Sequence, residues 1–532
     1  MPEASHKVIM SEARRTLERV EKFRYILILE GVAVGILAGI AIVAFRLAIT
    51  NAEEWMEVLR GFAKQKVLMM GVYIAIVFAL AMFTGFLVKK EGNISGSGIP
   101  QVKGEMLDRL ETKWIRVLAY KLIGGAVAIA AGLSVGREGP SVQLGAMAGK
   151  GFSKMTNKLK TEEKLLMSCG AGAGLAASFN APLAGVVFTL EELHKNFSEE
   201  VMLATMSAAI TADFVSSTVF GLKPIFTIRT AGPLPLREYW LVIVLGIVLG
   251  AFGVFYNATV ARVQDVYGKM TNVYAKMVVP FGCATVLAFV YPKVLGGGSH
   301  LVEEVALGGF GLGALILLLV MKYCFSMISF GSSAPGGIFL PLLVMGAVTG
   351  GLFFNLVTLG VPVGDMYLPT FVILGMAGFF SGIVRAPITG IILISEMTGS
   401  LSNLLTLSIV SLVAYVTADI LGGKPIYNQL LERILSKKVM ETGRAVQKKR
   451  DRKKVLVESP VYFGAPADGL RVSELSLPKG ALIVSLTRED DEIVPYGDTV
   501  IRGGDRLVIL ASSDETAIVD EALDQMCRRM KI

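Results

Sequence analysis

Eleven apolar stretches, near residues 25–49, 67–88, 115–134, 164–190, 201–221, 239–261, 274–291, 310–329, 333–359, 366–395 and 403–421, leave this chain few ways to fold. A helix that crosses ~30 Å of hydrocarbon needs about 20 apolar residues and satisfies its own backbone hydrogen bonds. Several of the stretches are interrupted by glycine, proline or a charge. Such interruptions predict half-spanning or re-entrant helices, buried in protein or lining a wet cavity. Composition agrees: apolar residues reach 53% and charged residues only 18%, against roughly 45–50% and about 25% in ordinary globular chains. Glycine, at 58 of 532 residues, suits membrane helices that pack backbone to backbone. A soluble enzyme, a disordered chain and a secreted disulfide scaffold all fit poorly. The expected fold class is an all-α polytopic membrane protein with a small soluble tail.

Cys169, Cys283, Cys324 and Cys527 are scattered with no C-x-x-C pair, and only His6, His194 and His300 could join them as metal ligands. Neither a zinc site nor a disulfide framework is implied. The net charge of +8 gathers beside apolar segments, from Lys150 to Lys164 and from Lys448 to Lys454. Cytosolic loops that follow the positive-inside rule explain this better than a nucleic-acid partner, which is not expected. Residues 1–24 read as a charged, amphipathic cytosolic helix. The run from Tyr25 to Ile49 is too long for a signal-peptide core and reads as the first membrane helix, N-terminus inside.

The chain repeats itself. At an offset of 201, Gly136, Pro140, Gly145, Ala146, Gly149 and Phe152 meet Gly337, Pro341, Gly346, Ala347, Gly350 and Phe353. At 205, the stretch from Ala181 to Glu191 lines up with Ala386 to Glu396. Two collinear matches predict a duplicated membrane domain, with repeats of about 25–221 and 239–430. Repeats with broken helices in corresponding places are the signature of secondary transporters, which bind substrate at the repeat interface.

Beyond Leu421 a helix over 427–440 leaves the apolar region, followed by a basic linker at 441–454. Residues 455–532 then read as a compact α/β module. Gly480–Leu486 and Arg506–Leu510 are strand-like, turns fall at Pro495–Asp498 and Gly503–Asp505, and Ser512–Glu515 suggests a capping box before a last helix.

Three short segments share one property. Gly96-Ser97-Gly98-Ile99-Pro100, Gly136-Arg137-Glu138-Gly139-Pro140 and Gly337-Ile338-Phe339-Leu340-Pro341 place glycine ahead of a proline that suits a first helical turn. Free N–H groups and about half a positive charge at each helix start make an anion site without a full cation. Any one segment could equally be a cap or a kink; three, two of them repeat-equivalent, favour a site. Glu138 adds an ionisable group within a membrane segment, which is costly and usually functional. A carboxylate there can occupy the anion's place when ionised and withdraw when protonated. For Glu191 and Glu192 the bland reading is a solvated helix end, followed by His194 and Lys195. Glu396 has the same ambiguity, and Glu30, Arg46 and Arg385 have no assigned role. The run Cys169-Gly170-Ala171-Gly172-Ala173-Gly174 lacks a preceding strand and a P-loop lysine, so it reads as helix packing.

These segments resemble the three filter motifs of the CLC family of chloride channels and chloride/proton exchangers, in order and over about residues 25–440. The resemblance implies the inverted-repeat CLC-type fold with broken helices, and a homodimer in which each subunit has its own pathway. It implies that Ser97 and Tyr427 give hydroxyls, and Ile338 and Phe339 backbone N–H groups, to a bound chloride. Glu138 matches the external gate and Glu192 the internal proton-transfer carboxylate of exchangers, while Glu191 stays a structural neighbour. Arg137 is expected to be paired or solvated rather than a chloride ligand. The tail resembles the TrkA-C regulatory domain, through Leu470-Arg471-Val472-Ser473-Glu474-Leu475 and Gly480 to Asp505.

The expectation is a chloride/proton antiporter of the inner (plasma) membrane, with both termini cytosolic and lipid, chloride and protons as partners. No cofactor is expected, apart from a possible cyclic dinucleotide at the tail, with plain dimerisation as the default role of that module. A passive chloride channel of the same fold is the alternative, and Glu192 argues against it. Ser97 argues against nitrate selectivity and Glu138 against fluoride specialisation. An intramembrane hydrolase lacks a histidine placed to serve Ser97 or Ser141. A potassium channel would need a Thr-Val-Gly-Tyr-Gly filter.

Overall fold

A computed structural model describes residues 2–442 apart from 196, and residues 454–527 apart from 479, 489–490 and 513–515. The chain divides into two compact units, Met1–Leu435 and Ser436–Ile532.

The first unit is helical. It opens with α1 (Pro2–Gln65), α2 (Val67–Lys90), the short α3 (Ile99–Met106) and α4 (Trp114–Ala130). Next come α5 (Glu138–Met155), α6 (Lys160–Phe179), α7 (Pro182–Phe188) with a π-helical extension at Thr189–His194, and α8 (Glu199–Phe220). After them lie α9 (Tyr239–Gly268), α10 (Val273–Val290), the short α11 (Ser299–Ala306) and α12 (Leu312–Gly331). The unit ends with α13 (Phe339–Val357), α14 (Leu368–Val384), α15 (Pro387–Thr398), α16 (Leu404–Ile420) and α17 (Ile426–Thr442), the last of which runs on past Leu435. Among the described residues, eight helices are long and apolar enough to cross a membrane, and α15 and α16 are shorter apolar helices.

One expectation needs correction. Residues 2–24 do not form a separate element, because α1 continues through Tyr25 without a break. The interrupted apolar stretches 164–190 and 366–395 are each two shorter helices. Asn180 (φ 52°) ends α6 and Arg385 (φ 68°) ends α14, both in the left-handed conformation. An Ala-Pro pair follows each, and its proline opens the next helix. Proline biases the residue before it toward extended backbone, so the helix stops and restarts at a new angle.

Close packing follows the glycines. A Cβ on Gly145 would collide with the Gly170 carbonyl, and one on Gly346 with that of Gly375. So α5 crosses α6, and α13 crosses α14, at backbone contact. The glycine run at 170–174 is helix packing, as expected.

The repeat extends further than the sequence matches indicated. Gly96 (φ 62°) and Gly98 (φ 99°) lead into α3, and Gly296 (φ 60°) and Gly298 (φ 85°) lead into α11. Beneath each loop lies a fully buried lysine. Lys121 Nζ donates to the carbonyls of Ile94 (2.8 Å) and Gly96 (2.6 Å). Lys322 Nζ donates to those of Val294 (2.9 Å) and Gly296 (2.7 Å). Each ammonium satisfies carbonyls that the irregular backbone leaves open, a need that is acute away from water.

The second unit is a four-stranded antiparallel sheet in the order β1-β4-β2-β3, with β1 (Lys454–Pro460), β2 (Leu482–Arg488), β3 (Asp491–Ile493) and β4 (Arg506–Ser512). Helix α18 (Thr516–Cys527) covers one face, and Val519, Leu523 and Cys527 join Ile483, Leu507 and Ile509 in its core. The suggested capping box and most of the basic linker, at 513–515 and 443–453, lie outside the described residues.

Candidate anion and proton site

Each of the three glycine–proline segments starts a helix. Gly98 caps α3, Arg137 caps α5 and Ile338 caps α13, with Pro100, Pro140 and Pro341 in the first turns. The first N–H groups of any helix have no partner within it. Here the starts are stitched together. Gly136 N–H donates to Gly337 O and Gly337 N–H to Gly136 O, both at 2.7 Å. Gly96 N–H donates to Ser333 O and Gly336 N–H to Gly96 O, both at 3.0 Å.

Glycine is required where the segments meet. A Cβ on Gly139 would press on the Ser97 hydroxyl and lie 2.8 Å from the Ser97 carbonyl oxygen and 3.1 Å from Gly337 Cα. A Cβ on Gly98 would sit 2.7 Å from Gln143 Cβ. Ser97, Gly139 and Gly337, taken from all three segments, are therefore in contact. Phe339 is fixed between the rings of Phe179 and Phe380, with centroids 5.4 and 4.7 Å away.

Among the buried hydroxyls without partners, one lies at this junction and one at the start of α17. Ser97 Oγ and Tyr427 Oη are both inaccessible to solvent and make no hydrogen bond. A buried hydroxyl without a partner costs about 1–3 kcal/mol, so two of them mark a place for a polar guest. Neutral hydroxyls and helix-start amides, with no full positive charge among them, suit an anion that must also leave.

Glu138 is completely buried, and neither of its oxygens has a hydrogen-bond partner. The amides of Arg137, Glu138 and Leu340 face the carboxylate without reaching hydrogen-bond geometry. The side chain lines a cavity of about 580 Å³ shared with Arg137, Glu53, Arg60 and His300. Arg137 Nη2 donates to the Ser178 carbonyl at 3.3 Å.

Glu192 lies in the π-helical segment after α7 and is 3% exposed. Its Oε1 accepts from Lys103 Nζ at 2.7 Å. The same ammonium donates to Asn428 Oδ1 at 2.6 Å. Tyr427, next along α17, is within electrostatic reach of both Glu138 and Glu192.

Glu191 and Glu396 each cap the other's partner helix. Glu191 accepts from the amides of Ile388 (3.1 Å) and Thr389 (2.7 Å) and from the Thr389 hydroxyl (2.7 Å), at the start of α15. Glu396, near the end of α15, accepts from the amides of Leu183 (3.1 Å) and Ala184 (2.8 Å), at the start of α7. Neither is a solvated helix end. Arg46 donates to Ala177 O, Asn180 Oδ1 and Ser216 Oγ, and Arg385 to Tyr415 O, Asp419 Oδ1 and Gly423 O. Both arginines tie down the broken joints. Glu30 pairs with Lys158.

Sequence reading passed over Lys103, Lys121 and Lys322. The signal was available for the last two: lysines inside apolar stretches, 201 apart, at the spacing of the repeat.

A duplicated helical membrane domain whose broken helices start around buried, unpartnered donors is an ion-transport architecture. Comparison with known proteins gives the family. Residues 80–419 match the family described as voltage gated chloride channel, and residues 456–523 match the TrkA-C domain. The chain belongs to the voltage gated chloride channel family and is a multi-pass membrane protein. A protein from Salmonella paratyphi B named H(+)/Cl(-) exchange transporter ClcA is 34% identical over 446 residues, covering 81% of this chain and 93% of that protein. Its namesake from Yersinia pseudotuberculosis is 32% identical over 469 residues, covering 86% and 95%. The crystal structure of a slow cyanobacterial Cl-/H+ antiporter superposes with a TM-score of 0.73 at 30% identity, over 77% of this chain and 98% of that one. A eukaryotic CLC transporter at 23% identity (TM-score 0.65, 78% of this chain and 75% of that one) shares the fold.

Proposed function

We propose that this protein exchanges chloride for protons across the membrane. The observation that carries the reading is a second buried carboxylate, Glu192, set apart from Glu138 with Tyr427 in reach of both. A passive pathway needs a gate but has no use for a costly second ionisable group. The relatives named as exchange transporters support the same reading.

Chloride is held by the Ser97 and Tyr427 hydroxyls and by the amides of Ile338 and Phe339. The segments Gly96–Pro100, Gly136–Pro140 and Gly337–Pro341 shape that site. Ionised Glu138 competes with the anion for the helix starts of α5 and α13. Once protonated it loses its attraction for those amides and vacates the place. Glu192 passes protons to and from the other side. The two ions share the region between Glu138 and Tyr427, so movement of one is conditional on the other.

In the same reading the protein is a homodimer in the plasma membrane with cytosolic termini, and each subunit has its own pathway. A membrane domain to about residue 440, a basic linker at 441–454 and a tail at 455–532 go with it. The tail modulates transport rather than conducting ions, since its strands are too short to span a bilayer. Any ligand of the tail must bind one transport state better than the other. A cyclic dinucleotide is the candidate by resemblance alone.

The test is simultaneous recording of chloride and proton flux in proteoliposomes. A chloride gradient should drive protons uphill, and Glu192→Ala should keep chloride flux and lose proton flux. Wild-type chloride flux with no proton movement at any pH would make the protein a channel. Truncation after Thr442 should preserve exchange and remove any effect of nucleotide on the rate.

A further inference from the structure

Lys103 joins three elements that the transport cycle has to coordinate. It sits on α3, the helix that begins at the Ser97 loop. Its ammonium is 2.7 Å from Glu192 in the π-helical segment and 2.6 Å from Asn428 on α17, next to Tyr427. The lysine is 5% exposed and Glu192 is 3% exposed. Water therefore screens this pair little, and a change of charge on one partner is felt nearby.

We propose that Lys103 is a positioning residue that couples proton occupancy at Glu192 to anion affinity at the same end of the pathway. The inference rests on the exchange reading, and it follows from charge balance. With Glu192 ionised, the pair is neutral and the ammonium is committed to the carboxylate and to Asn428. When Glu192 takes up a proton, the pair carries a net +1, and the ammonium keeps only its bond to Asn428. An anion arriving beside Tyr427 then meets a full positive charge that was hidden before. When the proton leaves, the charge is masked again and the anion is released more easily. The fixed donors of the chloride site need not change. This gives the two ions a shared electrostatic term in addition to their competition at Glu138.

The other charged and titratable groups around the pair are few. Glu191 and Lys195 lie close to Glu192 along its own chain, Tyr427 on α17 is within electrostatic reach of it, and Lys195 also acts on Lys103. Glu191 is occupied by the start of α15. None of these groups forms a hydrogen bond to the Glu192 carboxylate, so Lys103 is its direct counter-charge.

The experiment measures the chloride KM on the Glu192 side of oriented proteoliposomes as pH on that side is varied, with proton flux recorded in the same vesicles. Wild-type KM should fall on the order of three- to tenfold on acidification, the size expected for unmasking one charge in a protein of intermediate dielectric. Lys103→Met carries −1 and 0 where the wild-type pair carries 0 and +1, so its KM should lie above the wild-type value at every pH. Lys103→Arg should restore the wild-type KM, which a purely structural role for the lysine stem would not require. Glu192→Gln keeps Lys103 and removes its counter-charge, so KM should stay at the low, acid value throughout. If Lys103→Met fails to assemble, Glu192→Gln decides alone. A KM in Glu192→Gln that still varies with pH as in wild type would overturn the proposal, as would wild-type behaviour in Lys103→Met. Absence of wild-type proton flux would refute the exchange reading by itself and leave the KM comparison legible.

Discussion

Glu191 and Glu192 are neighbours in sequence with opposite assignments, and the stability of the α7–α15 pair separates them. Glu191 accepts three hydrogen bonds at the start of α15, and Glu396 accepts two at the start of α7. Hydrogen bonds to a charged group contribute about 1.5–3 kcal/mol each when buried, and replacing a helix N-cap by alanine costs about 0.5–2 kcal/mol. Both carboxylates are partly accessible, so water recovers a share of the loss. Glu191→Ala should then destabilise by ~2–4 kcal/mol and Glu396→Ala by ~1–3 kcal/mol. The two caps close a ring, because each helix carries the carboxylate that caps the other. Once one is lost the pair loosens, and the second loss should cost less. The double variant should therefore fall short of the sum by 0.5 kcal/mol or more, the usual threshold for coupled sites. Equilibrium unfolding in mixed micelles gives all four corners of the cycle. Exchange by the folded fraction should keep its proton-to-chloride ratio in Glu191→Ala. A Glu191→Ala protein with wild-type stability and no proton flux would refute the argument and transfer the relay to Glu191.

Tyr427→Phe, which deletes only the unpartnered hydroxyl, should weaken chloride binding several-fold by calorimetry without unfolding the protein; unchanged affinity would remove Tyr427 from the site. Ser97→Pro should shift selectivity from chloride toward nitrate in anion-competition flux assays. In the tail, Arg488 makes a two-pronged ion pair with Asp505 (2.8 and 2.7 Å), and Asp505 is 1% exposed. Arg488→Ala removes the counter-charge of that carboxylate, which keeps only the Arg502 amide (2.8 Å), and should destabilise the second unit by about 3 kcal/mol, read from amide exchange in β2 and β4. Asp468 accepts from the amides of Gly464 (2.9 Å) and Gly503 (2.8 Å), which hold its carboxyl below the usual range. A lowered folded value gives stabilisation that is present above the unfolded value and lost as pH falls through the folded one. Exchange protection at Gly464 and Gly503 should accordingly drop below about pH 4 and not between pH 5 and 8.

How far the sequence could be read depended on how local each cause was. Helix starts at Ile99, Glu138 and Phe339 were legible because glycine and proline set backbone conformation within a few residues. The tail strands β2 and β4 were legible as short apolar runs bounded by turn residues, whereas β1 begins inside the basic run at Lys454 and was hidden by it. The breaks within 164–190 and 366–395 were legible as proline- or charge-interrupted runs, but the contacts that hold them were not: Arg46 donates to the Ala177 carbonyl at the first, and Arg385 reaches from the second to the carbonyls of Tyr415 and Gly423. The partners of Glu191 and Glu396 lie about 200 residues away, beyond any local pattern.

The repeat itself separates scaffold from chemistry. Positions at which the two halves agree hold the fold: Lys121 with Lys322, Gly145 with Gly346, Glu191 with Glu396. Each pair performs the same structural task twice, under a loop, at a helix crossing or on a helix start. Positions at which the halves differ are the ones proposed to move ions. Glu138 meets Phe339 at a spacing of 201 and Glu192 meets Met397 at 205, while Ser97 meets Gly297 and Lys103 meets Glu303 at 200, the spacing of the Gly96 and Gly296 loops. A site on a pseudo-twofold axis can present different groups to its two ends only by breaking the symmetry in side chains, because the backbone is duplicated. Glu138 and Glu192 each lack a carboxylate counterpart in the other half, so in the proposed cycle each end has one carboxylate of its own. A cycle that takes a proton from one side and delivers it to the other requires that asymmetry.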